Sequence, residues 1–150
     1  NQRISSFVPR AVWLTADGVA NTTVTLANTN LSFAVVAGGR YWFRAFVSFS
    51  SPLTMTGARI VPNGPAFTRL RYMHRMTNGA AVQVVGYGLS AWQLPATASG
   101  TSPTGGGECE IQGIVTPSAA GNVVIQIASE VAASGVAALA GSCLEWRRVA

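Results

Sequence analysis

The sequence predicts an all-β domain, an antiparallel β-sandwich of jelly-roll type with about eight to ten strands. Three observations predict it. Apolar residues alternate with others over short windows, most clearly at residues 40–50. Sixteen glycines and seven prolines punctuate these windows along the whole chain. No stretch holds the apolar spacing of a helix over a convincing length. The 150 residues are one ordinary domain, and a composition 49% hydrophobic and 10% charged suits a packed core rather than a disordered chain.

Residues 1–10 are polar, with Ile4, Phe7 and Val8 isolated among them and Pro9 following. They read as an extended N-terminal arm, either a loose terminus or a strap that docks on a neighbour. The first residue is Asn1, which implies a processed or trimmed start. Short strands are expected at 11–14, 22–26 and 31–36, with Asp17-Gly18 and residues 28–30 as turns. After Gly38-Gly39 comes the strongest strand, 40–50. Tyr41, Phe43, Ala45, Val47 and Phe49 share one face and can enter a core. Arg40, Trp42, Arg44, Phe46 and Ser48 share the other. A face of arginine and aromatic residues has the composition of a partner-binding surface, and equally of a partly covered second sheet face.

Further strands are expected at 54–61 and 69–76, on either side of Pro62-Asn63-Gly64-Pro65. In the second, Leu70, Tyr72, His74 and Met76 fall on one face, with Arg69, Arg71 and Arg75 on the other. That places the only histidine in a core or an interface. The three arginines would pair with acidic groups on a partner or form a solvated face, the commoner outcome. A strand at 81–89 leads to residues 94–107, rich in Ala, Thr, Ser, Pro and Gly, which read as a long mobile loop that packs no core. Its closing Gly105-Gly106-Gly107 lacks the Lys-Ser/Thr that a phosphate cradle requires. Strands at 108–116, 122–131 and 142–149 complete the set. Residues 117–121 read as a hairpin between the first two, and the alanine-rich 129–140 as a bend followed by a short strand. The division expected is an arm at 1–10 and a sandwich domain at 11–150.

The ten basic residues are all arginine and give a formal net charge of +5. They form no dense run, which argues against a nucleic-acid partner. No apolar stretch is long enough for a membrane-spanning helix. Cys109 and Cys143 lie outside any metal-ligand spacing. Two buried thiols are the plainer expectation, and a disulfide between neighbouring strands stays open. Sequons at Asn21 and Asn30 matter only in a eukaryotic secretory pathway. Catalysis needs titratable groups brought together, and the chain offers one histidine, one aspartate and four glutamates in no known motif. Glu108 and Glu110 share a strand face and read as surface charges. The expectation is a protein that is not an enzyme and carries no cofactor or metal.

One further pattern gives a setting. The run at 113–134, GIVTPSAAGNVVIQIASEVAAS, followed by AGSCLEWR at 140–147, resembles a module of tailed-bacteriophage structural proteins. LSFAVVAGGRYWFR at 31–44, with TGAR at 56–59 and NGPA at 63–66, looks like its N-terminal half. The resemblance covers roughly residues 20–149 and is one of strands and turns, not of a catalytic signature. It implies a virion protein: a head decoration (cement) protein, or a module of a tail or tail fibre. Such modules are often trimeric. No coiled coil or collagen-like shaft is present in the sequence, and a compact domain with a short arm favours the cement reading. On that reading the partners are the major capsid protein and two further copies of this chain, on the outer surface of the capsid. The residues expected to make contact are Phe7, Arg10, Trp42, Arg44, Arg69, Arg71 and Arg75. The alternative is a tail-fibre or receptor-binding domain that recognises the host surface through the 94–107 loop and exposed aromatics.

Overall fold

The computed structural model describes residues 9–79 and 82–149, with side chains at 9–79 and 85–149. Ten strands and no helix occur among them. The strands are β1 (Arg10–Trp13), β2 (Ala27–Val35), β3 (Tyr41–Ser50), β4 (Ala58–Asn63), β5 (Phe67–Asn78), β6 (Val82–Leu89), β7 (Gly107–Pro117), β8 (Gly121–Ser129), β9 (Ala137–Ala138) and β10 (Cys143–Arg148). The large sheet runs β1-β10-β3-β7-β5-β6, with the two-residue β9 beside the end of β3. The small sheet runs β2-β8-β4. Every pairing is antiparallel.

The pairing is nested. β1 pairs β10-ward, β2 pairs β8 and β3 pairs β7, while the chain passes from one sheet to the other at each step from β1 to β5. A long two-stranded ribbon rolled around a core produces this nesting, which is the jelly-roll arrangement. β5 and β6 depart from the simplest version by extending the large sheet beyond β7.

The core lies between the sheets. From β3 it takes Tyr41, Phe43, Ala45, Val47 and Phe49, the alternate set that the sequence pattern selects, all buried. Leu70, Tyr72, His74 and Met76 of β5 face the same interior, as do Val123, Ile125 and Ile127 of β8. Burying each large apolar side chain of this kind is worth about 1.5–3 kcal/mol. At one end Phe33 stacks on Trp146, their ring centroids 5.0 Å apart, which ties the small sheet to β10.

Besides residues 28–30, which lie within β2 rather than in a turn, four expectations need correction or refinement. Residues 22–26 are not a strand. The β-branched run there has strand propensity, but Asn21 captures it locally: its Nδ2 donates to Thr25 O (2.9 Å) and Ile127 O (2.8 Å), and its Oδ1 accepts from Thr23 N (2.9 Å). Residues 54–57 likewise precede β4, held in a turn by Ser51, whose hydroxyl donates to Thr56 O at 2.7 Å. Residues 117–121 do not form a hairpin, because β7 belongs to the large sheet and β8 to the small one. Turn-forming residues specify a reversal of direction, not whether the next strand pairs or crosses. Here the chain crosses, anchored by Gly38 N donating to Pro117 O and Ser118 N donating to Ala66 O, both at 2.8 Å.

The fourth concerns the connection from β6 to β7, residues 90–106. It has no strand or helix, yet it is tied down along the free edge of β4. Ser99 N donates to Ala58 O (3.0 Å), Ala58 N donates to Ser99 Oγ (3.0 Å), and Gln93 N donates to Pro62 O (2.9 Å). Residues 58, 60 and 62 are the alternate positions whose backbone groups point away from β8. Pro62 has no N–H to satisfy, which suits it to an edge. Ser99 and Ser102 are buried, and Ser102 Oγ donates to Thr56 O at 2.7 Å. Small polar residues therefore pack here by hydrogen bonding rather than by apolar area. The glycine run has a steric role: a Cβ on Gly106, whose φ is +126°, would lie 1.8 Å from Phe49 O.

Candidate functional site

The inner face of the large sheet is covered by the small sheet. Its outer face has no covering element among the described residues, and this is where the aromatic and arginine residues gather. Directly paired residues of an antiparallel ladder project to the same side, so the registers give rows across the sheet. One row is Arg147 (β10), Trp42 (β3), Ile114 (β7) and Arg71 (β5). The next is Glu145, Arg44, Gln112 and Met73. A third is Trp13 (β1), Cys143, Phe46, Glu110, Arg75 and Val85 (β6).

The face is unusually apolar for one open to solvent. Trp13 is 60% exposed, Phe46 and Ile114 each 42%, and Val85 40%. A solvated antiparallel face ordinarily alternates polar-out against apolar-in. A single exposed apolar residue needs no explanation, whereas a row of them on adjacent strands does.

Charge is distributed unevenly over it. Glu110 accepts from Arg75 Nη2 at 2.7 Å and pairs with Arg44 Nη2 at 3.0 Å. The hydrogen bond from Arg75 is the chief cause holding the Glu110 carboxyl below its ordinary range; partial burial opposes it and the two guanidinium charges reinforce it. Arg147 stacks over the Trp42 ring, 5.2 Å from its centroid. Shallow grooves flank Phe46 on both sides, one walled by Arg75, Thr77, Glu108 and Glu110, the other by Arg44, Cys143 and Glu145.

Five of the seven contact residues expected from the sequence, Trp42, Arg44, Arg69, Arg71 and Arg75, share this face. Arg10 does not join them. It pairs with Trp146, whose side chain turns inward, so it is an exposed residue at the β1 edge with opposite parity to Trp13. Phe7 lies outside the described residues. Sequence reasoning did not assign Trp13, Ile114, Met73, Val85 or Glu110 to the face. The alternation of Cys109, Ile111 and Val115 against Glu110, Gln112 and Ile114 carried the signal for β7. The β1 and β6 contributions depend on which strands become neighbours.

His74 is fully buried, with Nε2 2.8 Å from Ile60 O and 3.4 Å from Cys109 Sγ, while Nδ1 has no hydrogen-bond partner among the described residues. Both cysteines are free thiols: Cys109 is buried on the inner face of β7, and Cys143 is half-buried on the outer face of β10. Opposite faces of one sheet cannot be bridged by a disulfide. Burial pushes the Cys109 thiol well above its ordinary range, with the Glu110 charge adding to the effect. Among the described residues no group of three or more His, Cys, Asp or Glu side chains is placed to hold a metal ion.

A scan against protein-family models finds no match, and a search of curated proteins finds none. Among solved structures, the chain has 12% identity to one of infectious bursal disease virus, Gx strain, at a TM-score of 0.24, covering 97% of this chain and 37% of that one. It has 9% identity to the VP2 subviral particle of infectious bursal disease virus at a TM-score of 0.22, covering 94% of this chain and 41% of that one. The chain thus spans well under half the length of either, and at these TM-scores the likeness carries no structural weight.

Proposed function

We propose that this chain is a structural protein of a bacteriophage particle, a head decoration (cement) protein that binds between capsid subunits as a homotrimer on the outer surface of the shell. The observation that carries the reading is the outer face of the large sheet, where exposed aromatic and aliphatic side chains lie among arginines on paired strands. Side chains mounted on a sheet lose little freedom on docking, so more of their contact energy survives as affinity. The sequence resemblance to tailed-phage structural modules supplies the setting. Binding the assembled shell and not its dissociated subunits would stabilise the shell by mass action.

Phe46 is the central anchor on this reading. Covering its exposed 42% would remove roughly 85 Å² from water, a ceiling of about 2 kcal/mol, or about 30-fold in affinity, before the costs of association are subtracted. The alternative, a tail-fibre domain that reads the host surface through residues 94–107, has less support, because Ser99 and Ser102 of that segment are buried against β4 and its neighbours. Cryo-electron microscopy of the native particle tests the proposal. Trimeric density at shell symmetry axes, lost or depleted in particles carrying Phe46→Ala, is the expected result. Density on the tail alone would overturn it in favour of the alternative.

A further inference from the structure

The outer face divides into two electrostatic halves. In the half around Phe46, Glu110 is shared between Arg44 and Arg75, so the cations there have a carboxylate partner. In the other half, Arg69, Arg71 and Arg147 have none within ion-pair distance among the described residues. Arg71 Nη1 donates to Leu70 O at 3.2 Å, and Arg147 lies over Trp42, which leaves both guanidinium groups with further donors. Glu145 is the nearest candidate by position, two residues before Arg147 on the same face of β10, and it makes no ion pair with it. Between the cations sit Ile114, 42% exposed, and the Trp42 ring. An open groove walled by Arg69, Arg71, Ser90 and Ile114 runs into this corner.

We infer that the Arg147–Trp42–Ile114–Arg71 row, widened by Arg69, docks an extended acidic segment of a partner protein in which two carboxylates flank one apolar residue. The inference rests on the reading of this face as the docking surface and specifies what docks there. Arg147 and Arg71 are three strands apart, about 14 Å at the usual spacing between strands, which an extended chain covers in about four residues. Side chains of an extended segment face one side at every second position. The matching pattern is therefore acidic-x-apolar-x-acidic, laid across the strands, with the apolar residue over Ile114, beside the Trp42 ring that Arg147 covers, and a carboxylate at each arginine. Self-stacking of two such faces would set cation against cation. A single nucleic-acid strand fits less well, because the Trp42 ring face that a base would stack on is occupied by Arg147 and the site centre is aliphatic.

The test uses the full chain and four probes: a labelled Glu-Ser-Leu-Ser-Glu peptide with Gly-Ser flanks, its Lys-for-Glu twin, its Ser-for-Leu twin, and an oligothymidylate. Anisotropy at two salt concentrations gives affinity, and amide shifts give location. The acidic peptide is expected to bind, to weaken with salt, to shift Trp42, Arg71 and Ile114, and to lose about tenfold in affinity in the Arg69→Gln/Arg71→Gln variant. Both peptide twins should bind more weakly. Equal binding of the oligothymidylate, shifts confined to other parts of the molecule, or unchanged affinity in the double variant each overturn the inference. Occupancy of phage heads separates it from the reading it rests on. Loss of occupancy with Phe46→Ala but not with the double variant leaves the docking face standing and rejects the acidic segment. A chain that binds the peptide at this row yet is absent from heads supports the acidic segment and rejects the cement role.

Discussion

Lowering the pH from 7.5 to 5.5 is expected to destabilise the domain through one side chain, His74. Its Nε2 faces a carbonyl, Ile60 O, at 2.8 Å, so that nitrogen carries the proton and Nδ1 is left as a lone pair without a partner among the described residues. Protonation would place a second N–H, and a charge, in a fully buried site. Burial accordingly pulls the His74 pKa below its ordinary 6.5, with the Ile60 hydrogen bond opposing. Below 6.5 the unfolded chain takes up a proton that the folded one refuses, so stability is complete above that value and falls as pH drops toward the folded pKa. If His74 stays neutral throughout, the loss between pH 7.5 and 5.5 is about 1.3 kcal/mol, equivalent to about 3–5 °C in Tm for a domain of this size. His74 is the only histidine. Glu110, whose pKa is lowered from 4.5, costs stability only at more acid pH. Thermal melts at pH 7.5, 6.5 and 5.5 should show this slope in the native protein and a flat profile in His74→Gln. An unchanged Tm at pH 5.5, or the same slope in the variant, would refute the assignment.

Three other outcomes follow from the packing. Tyr72→Phe removes the hydroxyl that accepts from Leu94 N (2.9 Å) and lies within hydrogen-bond distance of Ala91 O and Leu94 O; burial pushes its pKa up to about 12. It should cost about 1–3 kcal/mol and speed proteolysis within residues 90–106, and an unaltered cleavage rate would show that the segment is held elsewhere. In the native protein a thiol reagent should modify Cys143 and spare Cys109 until unfolding, so equal reaction rates would contradict the placement of Cys109 in the core. Gly106→Ala should cost at least about 3 kcal/mol, since its Cβ meets Phe49 O and its φ is in the left-handed region; a melt within 2 °C of native, a margin set at about 0.5 kcal/mol, would reject this backbone path.

The faces of β3 and β5 were legible because burial on one side of a strand writes a period of two into its residues. His74 was legible for the same reason: its neighbours at 70, 72 and 76 are core residues. Partnership between strands left no such trace. The Pro-Ser-Ala-Ala-Gly stretch at 117–121 specifies a reversal equally well for a hairpin and for a crossing. The loop at 90–106 hid its packing because serine hydroxyls and backbone amides hold most of it to β4, with Trp92 and Leu94 adding apolar contact to the core. Trp13 and Phe46 share a row of the outer face, on either side of Cys143, only because β10 lies between β1 and β3, a fact of topology that no local pattern contains.

The sheet edges bear on how this domain associates. An unguarded edge strand invites pairing with another chain through backbone hydrogen bonds. β4 is covered by the 90–106 segment and carries Pro62, and β1 is only four residues long. β6 is distorted by a register shift opposite Tyr72 and His74, where Gly88 has a φ of +61°, and β2 by one between Asn28 and Ser32. Each of the four edges thus carries a feature that discourages strand addition. Among the described residues the outer face of the large sheet has no comparable protection: its arginines are interleaved with Trp13, Phe46 and Ile114 instead of isolating them. A chain selected only to remain dispersed gains nothing from guarding its edges while leaving that face apolar. One that joins an assembly through side chains gains from both, because closed edges suppress wrong pairings while the open face selects the right partner.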